Sequence, residues 1–341
     1  MLTNKKPNIL VTGGAGYIGL HTVVALTENG FNVIIADDFS NSNKASYERI
    51  SKIIGIMPLL YECDIRHTKK LDQIFIDHKI DAVIHFAGLK SVDDSIANPC
   101  QYFDYNITCT VSLIESMEKA GIKKIIFSST ASIYGETNDS PISEDAKIDC
   151  KSAYAFTKYS GEKLLEYQKL KDEEWSIAIL RYFNPIGAHI SGLIGEESKN
   201  QTNLMPHILR VASGEIDKLD IYGNDYETLD GTGVRDFIHV MDLAEGHVAS
   251  IDLILTTNKA YTINLGTGKG QSVLDLIRTF ERVNNVQIPH KFQKRRKGDI
   301  AKIYANTTLA KELLDWSAKK TVDQMCIDSW LWHKRKLDGH R

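Results

Sequence analysis

Short apolar runs alternate with longer amphipathic stretches over the first half of the chain. The runs fall at residues 8–12, 31–36, 58–62, 81–86, 123–128 and 176–182. Short continuous apolar runs of this kind suit strands buried on both faces. The gaps between them are long enough to hold crossover helices, which join parallel neighbours. The pattern therefore predicts an α/β fold, a doubly wound parallel sheet whose ligands sit at the carboxyl ends of the strands. After Asn184-Pro185 the pattern changes. Residues 186–235 hold many Gly, Asn, Asp and Glu residues and few long apolar runs, and they read as a loop-rich lobe. Further strands are expected at 236–240 and 261–265, with helices around 241–255, 272–284 and 321–336.

A glycine loop stands at the first strand-to-helix turn. Gly13-Gly14-Ala15-Gly16-Tyr17-Ile18-Gly19 follows the run 8–12 and opens a helical pattern from Tyr17 to Asn29, closed by Gly30. Gly13 permits a sharp turn, Gly16 lets backbone N–H groups approach a pyrophosphate, and Gly19 lets the helix pack close to the sheet. The helix N-terminus offers partial positive charge to phosphates. The next strand ends at Asp37, 18 residues past Gly19, where a dinucleotide fold places the carboxylate that bonds the adenosine ribose hydroxyls. A carboxylate there repels a 2′-phosphate, so NAD is expected rather than NADP. The expected organisation is a Rossmann NAD-binding domain over 1–185 and a smaller α/β substrate-binding lobe over 186–341. Segments around 236–265 are expected to return to the first domain.

Composition narrows the class. The chain has 341 residues, 43% hydrophobic and 25% charged, as soluble globular proteins do. A net charge of -3 gives no general attraction to nucleic acid or acidic membranes. No apolar run approaches the ~20 residues of a membrane span, and residues 1–8 lack an apolar signal core. The five cysteines are scattered, without a Cys-x-x-Cys pair, so neither a disulfide framework nor a zinc site is indicated. A cytoplasmic location is the expectation. His85, His189 and His239 are scattered and read as structural, with no metal expected.

Chemistry enters with Tyr154 and Lys158, four residues apart and so on one helix face. A free tyrosine ionises near pH ~10, too high for a base near neutrality. A lysine ammonium and a positive nicotinamide ring both favour phenolate and lower that value. Thr130, at the end of the run 123–128, offers a hydroxyl to the reacting substrate oxygen. Base, base-activator, hydroxyl partner and hydride acceptor together describe an alcohol-oxidation site.

The chain resembles the UDP-glucose 4-epimerase (UDP-galactose 4-epimerase) family of the extended short-chain dehydrogenase/reductase superfamily. The resemblance runs over nearly the whole chain. Its carriers are TGGAGYIG (12–19), HFAGLKSV (85–92), YAFTK (154–158), LRYFNPIGAH (180–189), NLMP (203–206), IYGNDY (221–226), DGTGVRDFIHVMDLA (230–244) and NLGTG (264–268). The resemblance implies NAD contacts from Gly13, Gly16, Tyr17, Ile18, Gly19, Asp37, Asn41, Asp64, Ile65, Phe86, Ala87, Lys90, Asn106, Tyr154, Lys158 and Phe183. It implies a UDP-sugar held by Thr130, Tyr154, Asn184, Asn203, Leu204, Tyr222, Arg235, Arg296, Asp299 and Ile303. The two guanidinium groups would match diphosphate oxygens bidentately. Without the resemblance, Arg295-Arg296-Lys297 reads as a solvated charge cluster and Arg235 as a surface partner of Asp236. Ile303 stands where the family borders the C2 substituent of the sugar. An isoleucine there predicts activity on UDP-N-acetylglucosamine, below that on UDP-glucose; the alternative is a simple packing residue.

The family's epimerases commonly end the catalytic strand with three serines. Here the run is Ser128-Ser129-Thr130, which keeps the hydroxyl. Threonine also resembles the sugar-nucleotide 4,6-dehydratases, but those follow it with an acid pair, and Ala131-Ser132 cannot act as acid or base. The implied reaction is reversible oxidation at sugar C4, rotation of the 4-keto sugar, and reduction on the opposite face. The implied assembly is a homodimer. The rivals are another NAD-dependent sugar-nucleotide enzyme, a decarboxylase or dehydratase, and a non-catalytic nucleotide-sugar or NAD sensor.

Overall fold

A computed structural model describes residues 6–136, 139–197, 203–296 and 299–339. The predicted strands form one seven-stranded sheet. Its members are β1 (Asn8–Thr12), β2 (Asn32–Asp37), β3 (Leu59–Glu62), β4 (Ala82–His85), β5 (Lys124–Thr130), β6 (Ser176–Tyr182) and a late strand, Ala260–Leu265. All pair in parallel, in the order β3-β2-β1-β4-β5-β6 with Ala260–Leu265 on the outer edge beyond β6. The order reverses direction at β1, between β2 and β4, which opens a crevice at the carboxyl ends of those strands.

Alternation along each strand explains the two cores. Ile9, Val11, Ile35, Ile84, Ile126 and Ala178 point to one face and pack with the helices Tyr17–Glu28 and Val240–Thr256. Leu10, Ile34, Val83, Ile125 and Ile177 point to the other face and pack with the helices Thr68–Asp77 and Thr108–Ala120. Both faces are covered, so the strand sequences are continuously apolar instead of alternating.

The stretch read as loop-rich contains more regular structure than expected. It holds a helix, Leu204–Ala212, and short strands at Asn184–Ile186, Leu219–Tyr222 and Val234–Arg235. Each short strand finds its partner far along the chain. Asn184–Ile186 pairs in parallel with Phe237–His239, Leu219–Tyr222 with His290–Gln293, and Val234–Arg235 with Lys302–Ile303. Strands of two to four residues carry too few apolar positions to show a period, and their pairing comes from the tertiary fold. A third core joins Ile208, Leu219, Ile221, Phe237, Ile277, Phe280, Met325 and Trp332. No described helix is long and apolar enough to cross a membrane.

Candidate active site

The glycine loop is built as its sequence requires. Gly13 sits at φ +70 and donates its N–H to the Ala36 carbonyl at 2.8 Å, tying the loop to β2. A Cβ at Gly13 would lie 2.6 Å from the Ala87 nitrogen, and one at Gly19 would lie 2.8 Å from the Gly14 Cα, so neither site admits a side chain. Gly16 is the N-cap of the helix Tyr17–Glu28, and no side chain caps it. The first intrahelical bond runs from the Leu20 N–H to the Gly16 carbonyl. The N–H groups of Tyr17, Ile18 and Gly19 precede it and are left for a ligand. Such an uncapped first turn fits a pyrophosphate.

Asp37 ends β2 and is buried beside this loop. Its carboxylate accepts from Ala15 N–H at 2.9 Å, Phe39 N–H at 2.9 Å and the Ser42 hydroxyl at 2.8 Å. Burial nevertheless pushes its pKa up. Asn41 is half-buried in the following turn. Asp64 follows β3, held by Arg66 at 2.7 Å, and Ile65 is buried beside it. Phe86 and Ala87 follow β4, both donating N–H groups to the Thr12 carbonyl.

Asn106 braces the next loop. It accepts from Leu89 N–H at 2.7 Å and donates to the Leu89 carbonyl at 3.1 Å and to Thr157 at 2.9 Å. It lies in a single π-helical stretch, Phe103–Ile107, a local bulge of a kind often found at functional sites. The loop therefore leans on the helix Ala153–Lys171, which carries Tyr154 and Lys158.

Tyr154 and Lys158 start that helix, whose N-cap Ser152 accepts from Ala155 N–H at 3.1 Å. Thr130, the last residue of β5, stands beside the Tyr154 hydroxyl. Burial raises the Tyr154 pKa, and the neighbouring Thr130 hydroxyl partly offsets this. Burial also lowers the Lys158 pKa to about 8. In the protein alone, desolvation thus works against charge on both groups.

The chain matches the family model described as GDP-mannose 4,6 dehydratase over residues 10–329. It is 47% identical to the UDP-glucose 4-epimerase of Bacillus subtilis over 334 residues, 98% of each chain. A solved UDP-glucose 4-epimerase from Stenotrophomonas maltophila, with bound NAD and formylated UDP-arabinopyranose, superposes with a TM-score of 0.96 at 43% identity, covering 98% of this chain and 99% of that one. Another, from Bifidobacterium longum in complex with NAD+ and UDP, gives 0.94 at 43% identity, covering 97% and 99%. The chain belongs to the UDP-glucose 4-epimerase group of this family.

The remaining residues singled out in this epimerase-family chain fall on two sides of the crevice. Phe183 is buried after β6, and Asn184 follows, exposed, with its N–H on the Asp236 carbonyl at 2.9 Å. Asn203 is the N-cap of the helix Leu204–Ala212, with Leu204 half-buried behind it. Arg235 donates to the Val234 carbonyl at 2.9 Å and the Ile300 carbonyl at 2.7 Å, and its guanidinium stands 3.8 Å from Asp299. Asp236 is not its partner. That carboxylate is buried and accepts from Thr267, Gly268 and Ala305. Arg296 bonds Asp299 at 3.0 Å and lies 4.8 Å over the Tyr222 ring. Asp299 thus sits between two guanidinium groups. Lys297, of the same basic cluster, lies outside the described residues. Ile303 is buried in a cluster with Ala131, Ile133, Tyr134, Ile142, Ala155, Phe183 and Ala305.

Two carboxylates escaped the sequence reading. Glu196 is buried and joins Lys90 at 2.8 Å to Asn203 at 2.9 Å. It lies in an irregular segment with no period to reveal it. Glu162 is fully buried and bonds Ser129 and both Arg181 Nε at 3.0 Å and Nη2 at 2.7 Å. Its spacing of four from Lys158 and eight from Tyr154, one continuous helix face, was the available signal. Among the described residues no group of three or more His, Cys, Asp or Glu could hold a metal.

Proposed function

We propose that this chain is an NAD-dependent UDP-glucose 4-epimerase, interconverting UDP-glucose and UDP-galactose. The observation that carries the reading is the Thr130 hydroxyl beside Tyr154 at the carboxyl end of β5, with Lys158 buried one turn along the same helix. A non-catalytic sensor has no use for a tyrosine set beside a hydroxyl partner and a buried lysine. Ala131 and Ser132 leave no acid pair for dehydration.

The residues fit NAD: an uncapped helix turn for the pyrophosphate, Asp37 for the adenosine ribose, and the loop after β4 braced by Asn106. When bound, NAD supplies a hydride acceptor and donor at sugar C4. The chain does the rest. Thr130 orients the 4-oxygen, and the Tyr154 phenol oxygen takes its proton as the C4–H bond breaks. Tyr154 returns that proton once the 4-keto sugar has presented its other face. Lys158 bonds the nicotinamide ribose, and its charge favours the phenolate. Arg235, Arg296 and Asn203 hold the diphosphate while the sugar turns.

Three finer readings belong with this one. The enzyme acts in galactose metabolism in the cytoplasm. It forms a homodimer, supported by an exposed apolar face: Phe103 and Phe156 stack at 5.7 Å, with Val92 and Ile96 exposed nearby and Tyr167 and Leu170 further along the Phe156 helix. It accepts UDP-N-acetylglucosamine more weakly than UDP-glucose, because Ile303 is smaller than tyrosine and stiffer than serine or cysteine. The deciding experiment is incubation with UDP-galactose and separation of the products. UDP-glucose as sole product establishes epimerisation; a decarboxylated or dehydrated sugar, or no turnover, refutes it.

A further inference from the structure

Tyr226 is buried at 6% exposure, and its hydroxyl has no hydrogen-bond partner among the described residues. A buried hydroxyl without a partner is unfavourable, because its lost hydration is not replaced. The ring is held firmly. The Arg295 guanidinium lies 4.1 Å over one face. Gly223, at φ +83, lies against it so closely that a Cβ there would stand 3.1 Å from the ring's Cδ2. The Tyr226 N–H bonds the Gly231 carbonyl at 3.0 Å. Asp230 fixes that turn through Thr232 at 2.7 Å and Ser272 at 2.5 Å. With Arg295 over one face and Gly223 close against the Cε2–Cδ2 edge, the ring has little freedom to swing away.

The surroundings of the hydroxyl identify its missing partner. The charges that bear on it are those of Asp299, Arg235, Arg295 and Arg296. Three are cations, which a phenol cannot donate to. The one anion, Asp299, is already engaged by Arg296 at 3.0 Å and faces Arg235 at 3.8 Å. Arg295 lies over the Tyr226 ring and the next residue, Arg296, over Tyr222, so the hydroxyl belongs to a cationic cluster in which a bound anion would supply the acceptor. Burial also raises the Tyr226 pKa, so the group keeps its proton and remains a donor.

We propose that the Tyr226 hydroxyl donates a hydrogen bond to a diphosphate oxygen of the bound UDP-sugar, alongside Arg235 and Arg296. The proposal rests on the epimerase reading for the identity of the ligand. It adds a phenolic donor from the Gly223–Gly233 turn to the diphosphate site formed by Arg235, Arg296 and Asn203. Bonds from a neutral donor to a charged acceptor are stronger than neutral pairs, and a fixed ring loses little entropy in making one.

The test is Tyr226→Phe, which keeps the ring between Gly223 and Arg295 and removes only the oxygen. UDP and uridine affinities are measured by titration calorimetry on the purified enzyme, parent and variant. UDP binding should weaken roughly 10- to 100-fold, since a bond to a charged group is lost, while uridine binding stays unchanged. The melting temperature should stay level or rise, because an unmatched buried hydroxyl has gone. Unchanged UDP affinity overturns the proposal and shows a hydroxyl satisfied otherwise. Equal loss on UDP and uridine also overturns it, by placing the contact on the nucleoside or in the turn itself. Failure of the parent to bind UDP would instead remove the epimerase reading on which the proposal stands.

Discussion

At the level of single residues, the site is governed by desolvation. Lys158 is buried and Tyr154 half-buried, and desolvation lowers the pKa of the first and raises that of the second, so the protein alone disfavours the ionised form of each. Tyr154→Phe should lose about 10²–10⁴-fold in turnover while the fold and UDP binding persist, because a proton acceptor is gone and little volume changes. Near-parental turnover in that variant would dismiss Tyr154 as the base. Thr130→Val should slow turnover more than Thr130→Ser, since only serine keeps the hydroxyl. Lys158 also leaves a thermodynamic signature. Its folded pKa of about 8 lies below the 10.5 of an ordinary lysine in the unfolded chain, so below pH 8 the buried ammonium destabilises the fold. The penalty is on the order of 3 kcal/mol from the pKa difference. It is relieved as pH rises from about 8 to 10.5, where the unfolded chain still holds the proton and the folded one does not. Lys158→Met should therefore melt higher than the parent at pH 7 when both are freed of dinucleotide, and the gap should narrow towards pH 10. A Lys158→Met protein that melts lower at pH 7 would contradict that burial penalty. Stability would here be traded for a charge placed at the reaction site.

At the level of elements, legibility followed length and periodicity. β1 and β6 stand at the residues expected, because the unbroken apolar runs Ile9-Leu10-Val11 and Ile177-Ala178-Ile179-Leu180 in a two-faced sheet leave one reading. The helices Val240–Thr256, Val273–Asn284 and Val322–Leu337 lie within two residues of their expected ends. The two-to-four-residue strands at 184–186, 219–222 and 234–235 were illegible, since each exists only through partners 36 or more positions away. Within the site, the glycine loop, Tyr154 and Lys158 were readable as local patterns. Glu196 and the Glu162–Arg181 pair were not, since their meaning lies in contacts across the fold. Ile303 shows the same limit. Its strand, Lys302–Ile303, pairs with Val234–Arg235 and so sets it beside Arg235, while its side chain packs with Ala131 and Phe183. Ile303→Tyr should suppress turnover of UDP-N-acetylglucosamine and largely spare UDP-glucose if it borders the sugar. Equal loss on both, with a lower melting temperature, would make it a packing residue, and overpacking of this kind costs about 1–3 kcal/mol.

At the level of the molecule, the helix that carries the catalytic pair also carries apolar side chains facing outwards. Phe156, Tyr167 and Leu170 recur at spacings of 11 and 3, which keeps them on one helical face, and they are 48%, 68% and 78% exposed. The opposite side of the same helix holds Lys158 and Glu162, both buried. Val92, Ile96 and Phe103 extend the apolar area on neighbouring helices. A continuous patch of this kind is uncommon on a monomer and marks an association surface. Helices packed by a face meet best in a self-complementary pair, in which each copy offers the same patch across a two-fold axis. In sedimentation velocity the enzyme should therefore run at twice the chain mass of 38.3 kDa. Ile96→Glu, exposed and away from the catalytic helix, should shift the population to monomer by setting a charge against its counterpart across the axis. The crevice lies at the strand ends and each copy contains Tyr154, Lys158 and Thr130 within itself, so monomers should retain turnover. A parent that sediments as a monomer at all concentrations would leave this face without a partner, and an Ile96→Glu protein that remains dimeric would place the contact elsewhere.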